Sequence, residues 1–156
     1  MGDSYGGGIV FYILQDGDIG YNEFVQHGLV SSLNDQSAAK EWSNIIDATT
    51  NTPFDFGYGE QNTLDIVNQA GHIDGAANIC FNLVEGGYGD WFLPSRGEIE
   101  KLGENMDLVG NFNPGFYWSS SDSGYDDMAY RFDFEINFGA GGYKDYGDRV
   151  RCIRSF

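Results

Sequence analysis

The last forty or so residues constrain this chain most. They open on Phe116-Tyr117-Trp118-Ser119-Ser120-Ser121 and close on Arg149-Val150-Arg151-Cys152-Ile153-Arg154-Ser155-Phe156, and each end reads as a short, firm strand. Between them, Asp122 to Asp148 consists almost wholly of Asp, Gly, Tyr, Phe, Ser, Asn and Ala. Enclosed by two strands, such a segment is expected to be displayed, with the preceding residues as its scaffold.

Length fits one domain, 1–156, large enough to bury a core without staples. A hydrophobic share of 41% is ordinary for a folded protein, whereas 23 glycines and 16% aromatics point to a loop-rich one. The net charge of −16 argues against nucleic acid, polyanions and anionic membrane surfaces, and leaves cationic partners, neutral sugars and metal ions open. Lys40, Arg96, Lys101, Arg131, Lys144, Arg149, Arg151 and Arg154 are the only basic residues, and the last three are placed to pair with internal carboxylates. Cys80 and Cys152 have no metal-ligand spacing; they either close one long disulfide loop or remain two buried thiols. No apolar run approaches membrane-spanning length and no signal segment opens the chain.

Along the chain, Ile9–Leu14 is a continuous apolar run that reads as a strand buried on both faces. His27–Ser32 reads as a second strand, and Ser37–Ile46 is rich in helix formers with Trp42 and Ile45 on one side. Asn62 is placed to cap a helix that starts at Thr63 and stops at Gly71; another is expected from Gly75 to Leu83. Ser95-Arg96-Gly97-Glu98 satisfies the capping-box pattern for a third. From Met128 to Phe138 apolar and polar residues alternate, the pattern of one half-buried strand, with Gly139–Gly142 as the turn after it. Strands, helices, then strands argue for an α+β fold with mostly antiparallel pairing and two to three helices.

Four motifs carry a resemblance: Gly2–Tyr12, Gly87-Tyr88-Gly89-Asp90-Trp91-Phe92-Leu93-Pro94-Ser95, Tyr117–Ser121 and Val150–Phe156. With them the chain resembles the C-type-lectin-fold domains at the C-terminus of bacterial collagen-like adhesins. The resemblance implies adjacent N- and C-terminal strands and a ligand surface on the C-terminal strands and loops. It also implies an extracellular, cell-surface or virion-displayed setting. The same motifs are similar to those of the variable proteins of diversity-generating retroelements. There, mutagenesis at adenines turns Asn codons into Asp, Tyr, Ser, Gly, Ala, Phe or Ile codons. The segment from Asp122 to Asp148 is built mostly from that set.

The chemistry expected is recognition. The Glu-Pro-Asn, Gln-Pro-Asp and Trp-Asn-Asp triplets of calcium-dependent lectins are missing; no cofactor is expected, and the one alternative is calcium held by Asp122, Asp126 and Asp127. The cysteine pair of the similarly folded formylglycine-generating enzyme is missing too, since only Cys152 is C-terminal. His27 and His72 have no nucleophile motif beside them, so no catalytic residues are expected. Tyrosines among Gly, Asp and Ser make a paratope-like composition, with rigid contact area at low entropic cost. The ligand-binding residues expected are Tyr125, Asp126, Asp127, Arg131, Asp133, Asn137, Tyr143, Asp145, Tyr146 and Asp148. The partner expected is a protein or glycan on a cell or particle surface, with no nucleic acid and no membrane insertion.

Overall fold

The computed structural model of the chain describes residues 1–156 as nine strands and four helices. In chain order these are β1 (Ser4–Tyr5), β2 (Gly8–Ile13), β3 (Gly28–Ser31), β4 (Ser37–Lys40), α1 (Gly59–Val67), α2 (Ala76–Phe81), α3 (Arg96–Glu104) and α4 (Met106–Val109). They are followed by β5 (Phe116–Asp122), β6 (Met128–Asp133), β7 (Phe138–Tyr143), β8 (Asp148–Val150) and β9 (Ile153–Ser155). One sheet has the order β1-β2-β3-β9 and the other β4-β8-β5-β6-β7; all pairings are antiparallel except β5 with β8. The fold is α+β with mostly antiparallel sheets. No helix is long and apolar enough to cross a membrane.

The apolar run in β2 is buried on both faces because the two faces serve two cores. Val10 joins Val30, Trp42, Trp91, Leu93, Trp118 and Val150, while Phe11 joins Leu29, Ile99, Leu102, Tyr117 and Phe132. The three tryptophans are buried with their indole N–H groups satisfied: Trp42 donates to Ser119 O (2.7 Å), Trp118 to Lys40 O (2.8 Å) and Trp91 to Tyr88 O (3.1 Å). Cys80 and Cys152 form a disulfide that ties α2 to the link between β8 and β9, across a sequence separation of 72.

Several elements differ from the sequence-based expectation. The terminal strands are not neighbours, since β3 lies between β2 and β9; the ends still meet, with the Tyr5 and Phe156 rings 4.9 Å apart. The expected helix over Ser37–Ile46 is instead strand β4 and irregular chain. Ser37 pairs with Val150, and the Trp42 N–H donates to Lys144 O, so tertiary pairing overrides local helix propensity. α1 begins four residues before Thr63 and ends at Val67, not Gly71. Asn62 lies inside it, buried, and donates from Nδ2 to Pro53 O at 2.9 Å. α2 is shorter than expected, and α4 was not anticipated. The capping box at α3 is present as read: Ser95 N donates to the Glu98 carboxylate (2.7 Å), and Glu98 N to Ser95 Oγ (3.4 Å).

The largest correction concerns the alternating run. Met128–Phe138 is not one strand: β6 ends at Asp133 and the chain reverses over 134–137 into β7. Asp133 Oδ1 accepts the Glu135 N–H at 2.9 Å, and Asn137 takes the left-handed conformation (φ 50°) that closes the turn. Tyr130, Phe132 and Phe134 are in the core as the alternation implied, but Ile136 and Phe138 are 65% and 53% exposed. Gly139–Gly142 is not a turn but the body of β7. A Cβ at Gly139 would lie 1.5 Å from the Tyr130 phenol oxygen, and one at Gly142 2.5 Å from Arg131 Nε. Glycine there makes room for two large side chains of β6.

Candidate binding surface

The residues from Ser123 to Asp127 turn between β5 and β6, and those from Lys144 to Gly147 turn between β7 and β8. The ladder sets these turns side by side: Met128 pairs with Tyr143, and Lys144 N donates to Asp127 O at 2.9 Å. Tyr125, Tyr143 and Tyr146 are 69%, 46% and 42% exposed at this end of the five-stranded sheet. Tyr143 and Tyr146 meet edge to face, with ring centroids 5.4 Å apart. Asp126, Asp127 and Asp145 are exposed beside them.

The frame under these side chains is polar and buried. The Lys144 ammonium is buried against the Trp42 ring (4.8 Å to the centroid) and donates to Ala48 O (2.9 Å), Asp126 O (2.8 Å) and Asp122 Oδ2 (3.3 Å). The Asp122 carboxylate also accepts the backbone N–H groups of Thr50 (2.9 Å) and Gly124 (3.1 Å). One lysine thus joins the loop at Ala48–Thr50, the β5–β6 turn and the end of β7. A charge so buried is tolerated because each ammonium proton has an acceptor and the opposite charge is in reach.

A second pair stands beside it. Arg131 Nη1 donates to Asp148 Oδ2 at 3.1 Å, and its guanidinium stacks 3.9 Å over Phe116 and 5.1 Å from Tyr146. Burial pushes the Asp148 carboxyl above the usual carboxylate range, against the opposing pull of Arg131. Arg131 and Asp148, both expected at the surface, are therefore mostly committed to each other.

The structure brings Tyr125, Asp126, Asp127, Tyr143, Asp145 and Tyr146 to one end, with Arg131 and Asp148 half-buried beneath. Asp133 and Asn137 lie at the other end of the β6–β7 hairpin, about 20 Å away along a six-residue strand. There they build the reversal. Asp122, Asp126 and Asp127 do not converge: Asp122 faces Lys144, and Asp126 contributes its carbonyl. No group of three or more His, Cys, Asp or Glu side chains is arranged to hold a metal ion.

Sequence reasoning missed the Lys144–Asp122 pair and the part played by Thr49–Phe54. That segment borders a cleft of about 160 Å³ lined by Thr49, Asn51, Thr52, Phe54, Asp122 and Gly124. The available signal was that Lys144 is the only lysine between Asp122 and Asp148. The C-terminal arginines do pair internally: Arg151 with Asp35 (2.7 Å), Arg149 with Asp35 (3.7 Å) and Arg154 with Asp90 (2.6 Å). His72 lies between Ser43 Oγ (2.9 Å) and Asn78 Oδ1 (2.6 Å). Ser43 is buried and its Oγ also accepts Ile45 N–H, so the row ties the chain after β4 to α2.

No protein-family model matches the chain, and no curated protein matches it.

Proposed function

We propose that the chain is a non-catalytic ligand-binding domain of C-type-lectin fold. Its contact surface is the tyrosine- and aspartate-bearing end formed by Ser123–Asp127 and Tyr143–Tyr146. The observation that carries this reading is the contrast within two adjacent turns. Tyr125, Tyr143 and Tyr146 project to solvent, while Lys144 and Asp122 lock the backbone beneath them. Pre-ordered backbone lowers the entropy lost on binding, and rigid aromatic rings supply contact area. The fold assignment is supported by the four motifs, by the meeting of the chain ends, and by the burial of Trp91, Leu93 and Ser95 from the second motif.

The same contrast supports the variable protein of a diversity-generating retroelement. All six surface residues named above are Tyr or Asp, types that adenine mutagenesis of Asn codons produces. Lys144, which holds the frame, is a type that such mutagenesis of an Asn codon does not produce. The partner is a protein on a cell or particle surface, and the setting is extracellular or virion-displayed.

Sequencing the DNA around the coding region tests the diversified version. A reverse transcriptase gene is expected nearby, with a near-copy of the stretch encoding 122–148 that differs only at adenines. The absence of both would sink it. A glycan array run with and without calcium separates protein recognition from a carbohydrate-binding adhesin. Silence in both conditions is expected, and a glycan signal abolished by chelation would favour the adhesin.

A further inference from the structure

Strand β7 is an edge of the five-stranded sheet, hydrogen-bonded on one side only, to β6. Its sequence, Phe138-Gly139-Ala140-Gly141-Gly142-Tyr143, contains none of the devices that close an edge: no proline, no charged side chain, and no register shift over six consecutive pairs with β6. The nearest lysine, Lys144, points inward.

The direction of the unpaired groups follows from the ladder. Lys144 N–H donates to Asp127 O, which makes 127–144 a hydrogen-bonded pair. Alternation puts 129–142, 131–140 and 133–138 in the same class, so the N–H and C=O groups of Gly139 and Gly141 face away from β6. The Tyr143 N–H faces the same way, while its carbonyl accepts Tyr146 N–H at 2.9 Å. Gly139 is required by Tyr130, but Gly141 has no comparable constraint: a Cβ there would meet only the flexible end of Met128, at 3.0 Å. The absence of a side chain at Gly141 leaves the edge backbone uncovered.

The surroundings decide what fits. Exposed Ile136 and Phe138 flank one end and exposed Tyr143 the other. Asp127, Glu135 and Asp145 are exposed around the hairpin, whereas its cations Arg131 and Lys144 are neutralised by Asp148 and Asp122. A second copy of this chain would bring like charges together, since each carries −16. We infer that the free edge of β7 docks an extended segment of a partner protein with alternating basic and apolar side chains, which adds to the sheet as a sixth strand. Main-chain hydrogen bonds to Gly139 and Gly141 hold it, Ile136 and Phe138 take its apolar side chains, and the carboxylates select its charge. This edge does not include Tyr125 or Tyr146.

The test uses the whole domain and a capped alternating lysine–valine peptide. Titration followed by NMR is expected to shift the amides of Gly139, Gly141 and Tyr143 and to slow their hydrogen exchange. The same peptide N-methylated at its valines, or the wild-type peptide on Gly141→Pro, is expected to bind about tenfold more weakly or worse, the scale of one or two lost hydrogen bonds. A glutamate–valine peptide is expected not to bind, and Tyr125→Ala and Tyr146→Ala to leave the lysine peptide's affinity unchanged. Equal affinity for the parent and N-methylated peptides, or shifts that spare Gly139 and Gly141, would overturn the inference. So would a sedimentation profile showing a dimer that Gly141→Pro dissociates and the peptide does not. The N-methylated arm leaves the protein untouched, so a folding defect in Gly141→Pro does not blunt the test.

Discussion

The β2–β3 and β6–β7 hairpins are both antiparallel pairs, built from opposite materials. β2 is Gly-Ile-Val-Phe-Tyr-Ile, enclosed between two strands, with Val10 and Phe11 in two different cores. β7 is half glycine, has one neighbour, and is held at its end by the buried Lys144. The buried carboxylates differ in the same way. Glu98, in the first turn of α3 and next to Gly59 of α1, has only neutral donors, whereas Asp122 has a lysine. The first region is stabilised by many interchangeable apolar contacts and the second by a few specific polar ties, which leaves its outward side chains free to vary.

The disulfide lies in neither hairpin: it ties α2 to the β8–β9 link, where the chain passes from one sheet to the other. Cys80→Ala with Cys152→Ala is expected to cost about 4 kcal/mol for a loop of this length, read as a fall in the urea midpoint. Trp91 and Trp118 lie in the same core, so their near-UV signals are expected to be lost together in one transition.

Within the second region the tie to break is Lys144. Lys144→Met leaves the Asp122 carboxylate buried without its cation and is expected to cost about 3 kcal/mol or more. Adding Asp122→Asn removes the unpaired charge but keeps an acceptor for only one of the Thr50 and Gly124 N–H groups, so it is expected to restore only part of that loss. Lys101→Ala, which breaks the exposed pair with Glu104 (2.7 Å), should cost well under about 1 kcal/mol. Equal losses for Lys144→Met and Lys101→Ala would refute the claim that the buried Lys144 tie holds the second region.

Glu98 tests a buried carboxylate that has no cation. Burial raises its carboxyl from 4.5 to about 7, outweighing the Ser95, Gly59 and Gly57 donors that favour the charge. Between those values the folded state holds a proton that the unfolded state releases, so this group's contribution to stability falls as pH rises through the window and is level outside it. The loss by pH 8 is on the order of 3 kcal/mol. Glu98→Gln keeps an acceptor for Ser95 N–H and is expected to flatten the profile from pH 4.5 to 7. An unchanged slope in thermal melts across that range would remove Glu98 from the account.

What was legible in the sequence divides along the same line. β2, the capping box of α3 and the acidic, glycine-rich segment were readable because local pattern and tertiary environment agree there. Period-two alternation could not locate the reversal at Phe134–Asn137: the apolar–polar alternation in the sequence runs on through the turn, although the register pairs Phe132 with Gly139 and Asp133 with Phe138 and so swaps the parity of the two faces. Nor could it show that Gly139–Gly142 is extended, because those glycines answer to Tyr130 and Arg131 rather than to a turn. β4 was hidden because Ser37–Lys40 has helix-forming residues and becomes a strand only by pairing with β8. Within the candidate surface the tyrosines were visible by composition. Lys144 was not, because its partners Ala48, Asp122 and Asp126 are brought together only by the fold.

The surface tyrosines define the smallest effect on stability and, on the proposed function, the largest on binding. Tyr125, Tyr143 and Tyr146 are exposed, and none of their hydroxyls is bonded within the chain, so replacing all three with alanine removes few buried contacts. Each replacement should change stability by no more than about 0.5 kcal/mol, a shift at the edge of detection in urea unfolding. Tyr146 is the one to watch, since its ring meets both Tyr143 and the Arg131 guanidinium. A modest loss confined to Tyr146→Ala would mean that this ring shields the Arg131–Asp148 pair from water. Once a ligand is identified, the triple variant should lose most of its affinity while melting with the parent. Retained affinity in a normally melting triple variant would move the contact surface elsewhere, and the β7 edge would be the next place to look. Loss of folding in the triple variant would show instead that these side chains are part of the frame, and the contrast between the two hairpins would then fail where it is sharpest.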